Sequence, residues 1–357
     1  MIYSYQRLES YIIDLLQSMG CSKYDSKIIS DVLIKAELRN ISSHGVSRLK
    51  DYVNLWKTKR INPNPDISIV HETLSTAVVD GDSSFGMIAG EYAMNLAIKK
   101  AEKVGTAWIS VRNSNHFGIA GYYAMKALEH DMIGICMTNA NPLVAPTFSV
   151  DRLLGTNPIA VAIPAGKYPP FVADFATTPI ARGKLDLMHK KADKAPEGYV
   201  QDKDGRPSND PNILTSGGAI LPLGGDYLHG SHKGYCLGAI VDIFSAVLSG
   251  ANFGPFVPPS VAYLPVLENQ PGIGTGHFMG AMRIDAFQKA DEFKAQMDLW
   301  IETFKNAKTD SYHESVIIPG EPEREWEIKN MKNGINILDK IIEDLNIIAL
   351  EQNINPL

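Results

Sequence analysis

The sequence has 357 residues, of which 45% are hydrophobic and 21% are charged, a balance typical of a globular protein. The net charge is −6 and no basic run is longer than a pair, which argues against a nucleic-acid or membrane surface. No apolar stretch approaches the roughly 18 residues of a membrane helix, and the first residues lack the pattern of a signal peptide. The length predicts two domains, or one large domain with a satellite.

Periodicity of the apolar residues predicts alternating helices and strands. In chain order these are helices over 8–19 and 28–38, a strand over 75–81, a helix over 94–101, a strand over 106–111, a helix over 118–130, strands over 133–138, 159–164 and 171–176, a helix over 232–250, a strand over 277–284, and helices over 287–304 and 337–352. The fold class is therefore α/β, with helices at both termini that can pack together.

Three parts of this pattern carry further expectations. The strand, helix and strand over 106–138 form a βαβ unit, so the two strands should run parallel. Residues 184–230 are polar and rich in Gly, Pro and Asp, which predicts long loops or a lid. The helix over 232–250 is apolar almost all round and should be buried.

The three cysteines, Cys21, Cys136 and Cys236, lie far apart and form no CxxC pair. This spacing predicts neither a disulfide framework nor a zinc site, and it favours a reducing, cytoplasmic setting. We predict no bound metal, because ligand spacings such as HExxH are also missing from the sequence.

Polar side chains follow both strands of the predicted βαβ unit. His116 lies in RNSNHFG (112–118), between the first strand and its helix. Ligands bind beyond the carboxyl ends of strands in open α/β sheets, so a catalytic or cofactor-binding role is favoured for His116 over a capping role. Asn139 and Asn141 follow the second strand, where they can either donate to a ligand or make Asx turns.

A second candidate site precedes the long apolar helix. His232 and Lys233 place an imidazole and a cation beside the free backbone N–H groups of a helix start. Charge and helix dipole together would hold a pyrophosphate there. Surface charge without a ligand is the alternative, but positive charge at a helix start is unfavourable, so a bound anion explains the pattern better.

Two familiar site templates do not fit. GIGTGHFMG (272–280) follows ENQP rather than a strand and runs into a predicted strand, so it is not a glycine-rich dinucleotide loop. No other GxGxxG occurs, and no GxSxG elbow is present. Ser43 beside His44 is not expected to form a nucleophile–base pair, because neighbouring side chains point apart.

The segment SSHGVSR (42–48) combines hydroxyl, imidazole and guanidinium groups. If it is helical, His44 and Arg48 lie four residues apart on one face. A 2-hydroxy acid needs a group that takes the hydroxyl proton and a cation that holds the carboxylate, and these residues could supply both. A capped surface helix would have the same spacing, so the spacing leaves both interpretations open.

Seven blocks of the sequence, in order, resemble those of one enzyme family. They are SSHGVSRLKDY, VDGDSSFG, VRNSNHFGIAGYYA, TNANPLVAPTFSVDRLLGTNPIAVAIP, DFATTPIARGKL, HKGYCLGAIVDIFSAVLSGA and PGEPE. The family is the malate/L-lactate dehydrogenase family of the second type, which includes malate, sulfolactate and ureidoglycolate dehydrogenases and diketogulonate reductase. It is unrelated to the Rossmann-type lactate dehydrogenases, which accounts for the missing glycine motif.

The resemblance implies a fold, a cofactor and an assembly. It implies a central non-Rossmann NAD(P)-binding sheet domain flanked by helices (76–309, with a loop-rich insertion at 184–230). It also implies a helical domain for substrate binding and dimerisation, built from both termini (1–75 and 310–357). The implied cofactor is NAD or NADP, with a slight preference for NAD, the ligand is a small 2-oxo or 2-hydroxy acid, and the assembly is a homodimer.

The resemblance also implies roles for single residues. His44, assisted by Ser43, donates or accepts the proton, Arg48 binds the substrate carboxylate, and in some family members His116 is the proton acceptor. The implied substrate-pocket residues are Thr156, Arg182 and Gly183. The implied cofactor contacts are His116, Phe117, Gly118, Asn139, Asp174, Phe175, Ala176, His232, Lys233, Gly320 and Glu321.

The expected activity is hydride transfer between NAD(P)H and a 2-oxo acid, with malate/oxaloacetate as the first choice. A dicarboxylate needs a second cation, which Arg182 or Lys184 could supply. The alternative is reduction of a cyclic imine carboxylate of the piperideine-2-carboxylate type, or of another 2-oxo acid, which needs the same carboxylate clamp. A silent NAD(P)-binding protein is a third hypothesis, and the intact Ser43–His44–Arg48 set argues against it.

Overall fold

Helices form at the start of the chain where the apolar period predicts them. The computed structural model describes all residues apart from the side chain of Lys190. Helix α1 (Tyr5–Ser18) begins after Ser4, whose Oγ accepts a hydrogen bond from the backbone N–H of Arg7 at 3.2 Å. Its apolar face packs against α2 (Lys23–Leu38), and this contact forms one end of the main hydrophobic core.

The predicted helices and strands are all present with shifted ends. Further helices are α3 (Leu49–Lys57), α4 (Gly86–Val104), α5 (Ala120–Lys126), α6 (Arg182–Lys191), α7 (Ser231–Asp242), α8 (Ala290–Lys305), α9 (Glu321–Asn333) and α10 (Asp339–Glu351). The strands are β1 (Ile2–Tyr3), β2 (Ser68–Glu72), β3 (Thr76–Asp80), β4 (Thr106–Ser114), β5 (Met132–Thr138), β6 (Ile159–Ile163), β7 (Phe171–Phe175), β8 (Val200–Gln201), β9 (Pro207–Ser208), β10 (Ala219–Ile220), β11 (Thr275–Arg283) and β12 (Ile335–Asn336). Of these elements, α3, α6, α9 and the strands β1, β2, β8, β9, β10 and β12 were not predicted.

The central sheet has the strand order β2-β3-β4-β11-β5-β6-β7 within the described part of the chain. Only β3 and β4 pair in parallel in this sheet, and the other neighbours are antiparallel. Strands β4 and β5 run in the same direction, as the βαβ pattern predicts, but β11 lies between them and pairs with both. The class is α/β, and the predicted fold class is confirmed.

The two termini meet on one side of the molecule. Strand β1 pairs with β12, and the guanidinium of Arg7 donates to the carbonyl oxygen of Pro356 at 2.6 Å. The carboxylate of Glu327 in α9 pairs with Arg39 at 3.0 Å. Strand β2 is an exception to the predicted boundary, because it lies within 1–75 yet pairs with β3 of the central sheet.

Most of residues 192–230 lie outside helices and strands, as the composition predicts, but residues 184–230 also hold regular elements that the composition did not indicate. The segment holds most of α6 and the small sheet β10-β8-β9. Apolar residues that the polar composition concealed form a second hydrophobic cluster, which includes Leu185, Val200 and Ile220. The cluster also contains Val144 and Leu154, so the insertion packs onto the rest of the chain through a shared core.

The apolar helix after residue 230 is not buried all round, so that prediction is wrong for one face. Helix α7 continues into a π-helical turn (Ile243–Val247). Six large apolar residues of α7 and this turn are 38% to 58% exposed: Tyr235, Ile240, Ile243, Phe244, Val247 and Leu248. Their spacing places them on one side of the helix, and we call them the α7 stripe.

Candidate active site

The segment SSHGVSR forms two short 3-10 turns, Ser42–His44 and Val46–Arg48, rather than one helix. Glu37 at the end of α2 explains the break, because its Oε1 accepts a hydrogen bond from the backbone N–H of Val46 at 2.8 Å. Gly45 lies directly against this carboxylate, and a Cβ atom there would collide with it. The helical geometry assumed for His44 and Arg48 is therefore wrong, although both residues still reach one site.

His44 and Ser43 contact each other in spite of being neighbours in the chain. Ser43 Oγ lies 2.9 Å from Nδ1 of His44, so the expectation that the two side chains point apart is wrong. Burial and the nearby Arg48 guanidinium lower the pKa of His44 to about 4. The imidazole is therefore neutral near pH 7 and can accept a proton there.

Arg48 is held by its own segment. Its Nε donates to the carbonyl oxygen of Ser43 at 2.8 Å, and its Nη1 lies 3.4 Å from Asp51 Oδ2. Nη2 donates no hydrogen bond among the described residues, so that nitrogen is available to a ligand. A guanidinium oriented in this way suits a carboxylate.

His116 approaches from the central sheet. It follows β4, and its ring stacks on that of His44 with centroids 5.4 Å apart and an interplanar angle of 28°. Tyr52 of α3, buried at 2% exposure, places its hydroxyl oxygen 2.8 Å from Nδ1 of His116. Burial, followed by the charge of Arg48, lowers the pKa of His116 well below its usual value. Two segments more than 60 residues apart thus bring two neutral imidazoles together.

The start of α6 lies against the same segment. The position that a Cβ atom would take on Gly183 is 3.7 Å from Cβ of Ser43. Arg182 is partly exposed, with Nη2 3.4 Å from the Tyr263 hydroxyl and Nε 3.8 Å from Asp186. Both contacts are long, so Arg182 can turn towards an anion. Thr156 donates no side-chain hydrogen bond among the described residues, while its carbonyl accepts from Thr177 at 2.9 Å.

Asp174 lies at the end of β7, at the far edge of the sheet. Its Oδ2 accepts a hydrogen bond from the backbone N–H of Gly121 at 2.7 Å, at the first turn of α5. Desolvation raises the pKa of Asp174 to about 6. Phe175 beside it is 40% exposed, and Ala176 is partly buried. Gly320, which precedes α9, packs against Val172 of the same strand.

Three other predicted cofactor contacts lie at helix starts. His232 and Lys233 are exposed within the first turn of α7 rather than before it. Glu321 begins α9, but its carboxylate already pairs with Lys305 at 2.7 Å and accepts from the backbone N–H of Ile318 at 3.0 Å. A ligand at Glu321 would therefore meet a carboxylate whose charge is already balanced by Lys305.

Two predicted cofactor contacts have side chains that belong to the core. Phe117 is 1% exposed and stacks between Tyr123 and His277, with centroids 4.9 and 4.6 Å away. The Asn139 amide donates to Asp242 and to the carbonyl of Asn252, and it accepts from the backbone N–H of Gly276. These side chains have no atom left for a ligand, because the chain itself uses or covers them all.

Sequence reasoning missed two residues that shape the site, Tyr52 and Glu37. Tyr52 lies four residues after Arg48, and this helical spacing could have indicated a shared face. Glu37 carried a weaker signal, a lone carboxylate in an apolar stretch that proves to be 2% exposed. The described residues hold no group of three His, Cys, Asp or Glu side chains that could bind a metal ion. None of the described helices is long and apolar enough to cross a membrane.

Comparison with known proteins gives the same family over nearly the whole chain. Residues 3–346 match the family model described as malate/L-lactate dehydrogenase. The chain belongs to this family. It is thus a dehydrogenase of a family that uses NAD(P), as the sequence motifs predicted, and the non-Rossmann sheet agrees with the missing glycine motif.

Individual relatives cover most of the chain. A malate dehydrogenase of Pyrococcus abyssi is 43% identical over 96% of this chain and 92% of its own length. An L-sulfolactate dehydrogenase of Methanocaldococcus jannaschii is 39% identical over 99% of this chain and 98% of its own. The crystal structure of malate dehydrogenase from Entamoeba histolytica superposes with a TM-score of 0.92 at 34% identity, covering 99% of both chains.

Proposed function

We propose that this dehydrogenase interconverts malate and oxaloacetate by hydride transfer with NAD(P). The observation that carries the proposal is the convergence of Arg48, the Ser43–His44 pair and His116 at one site. A 2-hydroxy acid requires a carboxylate clamp, a proton-transfer group and a hydrogen-bond donor to its C2 oxygen, and these side chains can supply all three. The 43% identity to a malate dehydrogenase supports the choice of acid.

Arg48 and His44 have different proposed roles in the reaction. Arg48 holds the C1 carboxylate through its free Nη2, which fixes the position of C2. The nicotinamide, when bound, supplies hydride to C2 in the reducing direction and accepts it in the oxidising direction. His44 takes the hydroxyl proton during oxidation, for which its neutral state is already suited. In reduction, the negative charge of the substrate raises the pKa of His44, so that the ring can deliver a proton to the developing alkoxide.

The cofactor is proposed to lie between the histidines and the helix starts. His232 and Lys233 are exposed at the start of a 12-residue helix, which suits a pyrophosphate. We propose NAD rather than NADP as the partner, because the Asp174 carboxylate at the end of β7 would disfavour a 2′-phosphate placed against it. The ratio of kcat/KM for NADH and NADPH tests this choice, and D174N should move the ratio towards NADPH.

The second carboxylate of malate needs a cation, for which Arg182 is the candidate. R182A should raise the KM for oxaloacetate about tenfold while leaving the KM for pyruvate nearly unchanged, because pyruvate lacks the second carboxylate. K191A, at the far end of the same helix, is the matched control. Equal effects of R182A on both substrates would remove Arg182 from this role.

Sulfolactate is the second candidate, because a relative of that name is 39% identical over 99% of this chain. A sulfonate presents an anion where malate has its second carboxylate, so the same cation would serve. NADH oxidation with oxaloacetate, sulfopyruvate, pyruvate and piperideine-2-carboxylate, with H44A as control, separates the candidates. Fast turnover of another compound while oxaloacetate is inert would overturn the malate assignment.

We also propose a homodimer in the cytoplasm, in which the helical part from both termini (1–75 and 310–357) forms the substrate side. The α7 stripe supports the dimer, since an apolar strip of this length is rarely left open to water. The free thiols Cys21 and Cys136 support a reducing compartment, because both are buried without a disulfide.

A further inference from the structure

The hydrogen bonds of His116 determine which ring nitrogen carries its proton. Nδ1 lies 2.8 Å from the Tyr52 hydroxyl oxygen, and the backbone N–H of Gly118 points at the same atom with a nitrogen–nitrogen distance of 3.4 Å. A backbone N–H can only donate, so Nδ1 must accept. The hydroxyl of Tyr52 must then donate as well, because the nitrogen it faces has no hydrogen to give.

The geometry of Gly118 keeps its N–H in this direction. Gly118 has φ of +80°, a conformation that other residues rarely adopt. A Cβ atom there would also lie 2.5 Å from Cγ1 of Val32 in α2, so no larger residue fits. Tyr52 is equally constrained, since its ring is 2% exposed and packs edge-on against Phe85 at 5.8 Å. Burial raises the pKa of Tyr52, which keeps the hydroxyl protonated and able to donate.

His44 is not constrained in the same way. Its Nδ1 faces the Ser43 hydroxyl, which can donate or accept. The proton of neutral His44 can therefore lie on Nδ1, leaving a lone pair on Nε2 for the substrate. Neither ring has a hydrogen bond to Nε2, and neither Nε2 is among the buried atoms that lack a partner in the described structure. Both Nε2 atoms are thus open to a ligand.

We propose that Tyr52 and Gly118 hold His116 as the Nε2–H tautomer, so that His116 donates a hydrogen bond to the C2 oxygen and leaves proton transfer to His44. Tyr52 is a positioning residue in this scheme, since it acts only through the imidazole. The inference rests on the proposed function for its substrate oxygen, whereas the tautomer itself depends only on the protein.

The proton balance of the reaction follows. In oxidation of the hydroxy acid, the C2–H bond breaks and its hydride passes to the nicotinamide. The O–H bond breaks and its proton passes to Nε2 of His44. Nε2 of His116 already carries a hydrogen, so it keeps that hydrogen throughout and stabilises the negative charge on the oxygen in both directions.

Glutamine substitutions distinguish the two roles. A glutamine amide donates a hydrogen bond but cannot take up a proton. We expect H116Q to keep at least about tenfold more kcat than H116A, which is the effect of one restored hydrogen bond to a developing charge. H44Q and H44A should be equally inactive. If H116Q and H116A are equally inactive while H44Q keeps activity, the assignment is reversed and the proposal fails.

The tautomer is measured without turnover. In protein labelled with 15N-histidine, the His116 signals, assigned by their loss in H116Q, should report a protonated Nε2 and an unprotonated Nδ1. Y52F should shift this population and lower kcat about tenfold with a smaller effect on KM. Y11F is the matched control, because it removes a buried hydroxyl bond to the Leu345 carbonyl in the helical part of the chain.

The possible results test the tautomer of His116 and the proposed function separately. An Nδ1-protonated His116 in the unmodified protein would overturn the inference, whatever the enzyme turns over. A loss of kcat in Y11F as large as that in Y52F would reduce Tyr52 to a general packing role. An enzyme inactive on the whole substrate panel, with His116 still protonated on Nε2, would refute the proposed function and leave the tautomer intact.

Discussion

Substituting His277 by glutamine should change how the stability of the protein depends on pH. His277 lies in β11 at the centre of the sheet, is 0% exposed and stacks on Phe117. Its ring nitrogens lie 2.7 Å from the hydroxyls of Ser114 and Thr138. Burial lowers the pKa of His277 from 6.5 to about 3, so the ring is neutral in the folded protein across the working range.

Proton linkage gives the direction and the size of the change in unfolding free energy with pH. The unfolded chain takes up a proton on His277 as the pH falls below 6.5, while the folded chain does not until about 3. Stability is therefore lost as the pH falls through this window. Between about pH 7.5 and about pH 5, the loss due to this one group is about 2 kcal/mol.

The assay is urea unfolding of the wild type and H277Q at both pH values and one protein concentration. At the higher pH, H277Q should be less stable by about 1–3 kcal/mol, because two buried hydroxyls lose a partner. At the lower pH, this gap should narrow by about 2 kcal/mol, because glutamine does not titrate. The difference in unfolding free energy between the wild type and the control Y11F should be the same at both pH values. A gap for H277Q that does not change with pH would refute the reasoning.

Three further results are expected. G45A should lower kcat/KM about 100-fold, because its methyl group would displace the Glu37 carboxylate and the His44 segment; normal kinetics would show that the segment tolerates movement. E37Q should keep most activity and E37A should lose it, since only the amide still accepts from Val46 N–H; equal steady-state rates would contradict this. V247E should convert a dimer to a monomer in light scattering, because it places a charge on the α7 stripe; an unchanged mass would exclude that surface from the interface.

The sequence predicted most elements because their signals are local. The helical period from Leu8 to Leu16 and the strand pattern over 106–111 depend only on near neighbours, and both are observed. Partners far away in the chain leave no such signal. Nothing in HFMGAMRI indicates that β11 enters between β4 and β5, and nothing near residue 240 shows that one face of the helix stays open.

The same difference between local signals and distant contacts applies to the residues of the active site. The family motifs brought His44, Arg48 and His116 into the candidate site, and the structure brings them together through contacts that no spacing encodes. The resemblance implied Phe117 and Asn139 as cofactor contacts, and the structure shows that their side chains are used by the core. Residues next to a strand end can point towards a ligand or back into the core, and only the tertiary contacts decide which.

The position of β11 has a consequence for the order in which the protein can be assembled. Strands β4 and β5 leave the ribosome early, but the strand that joins them arrives about 140 residues later. At a synthesis rate of about 5–20 residues per second, one edge of β4 and one edge of β5 stay unpaired for roughly 10–30 s. Unpaired edges invite association with other chains. We therefore expect nascent chains that end before Thr275 to need a chaperone, and the folding rate to be limited by this late insertion.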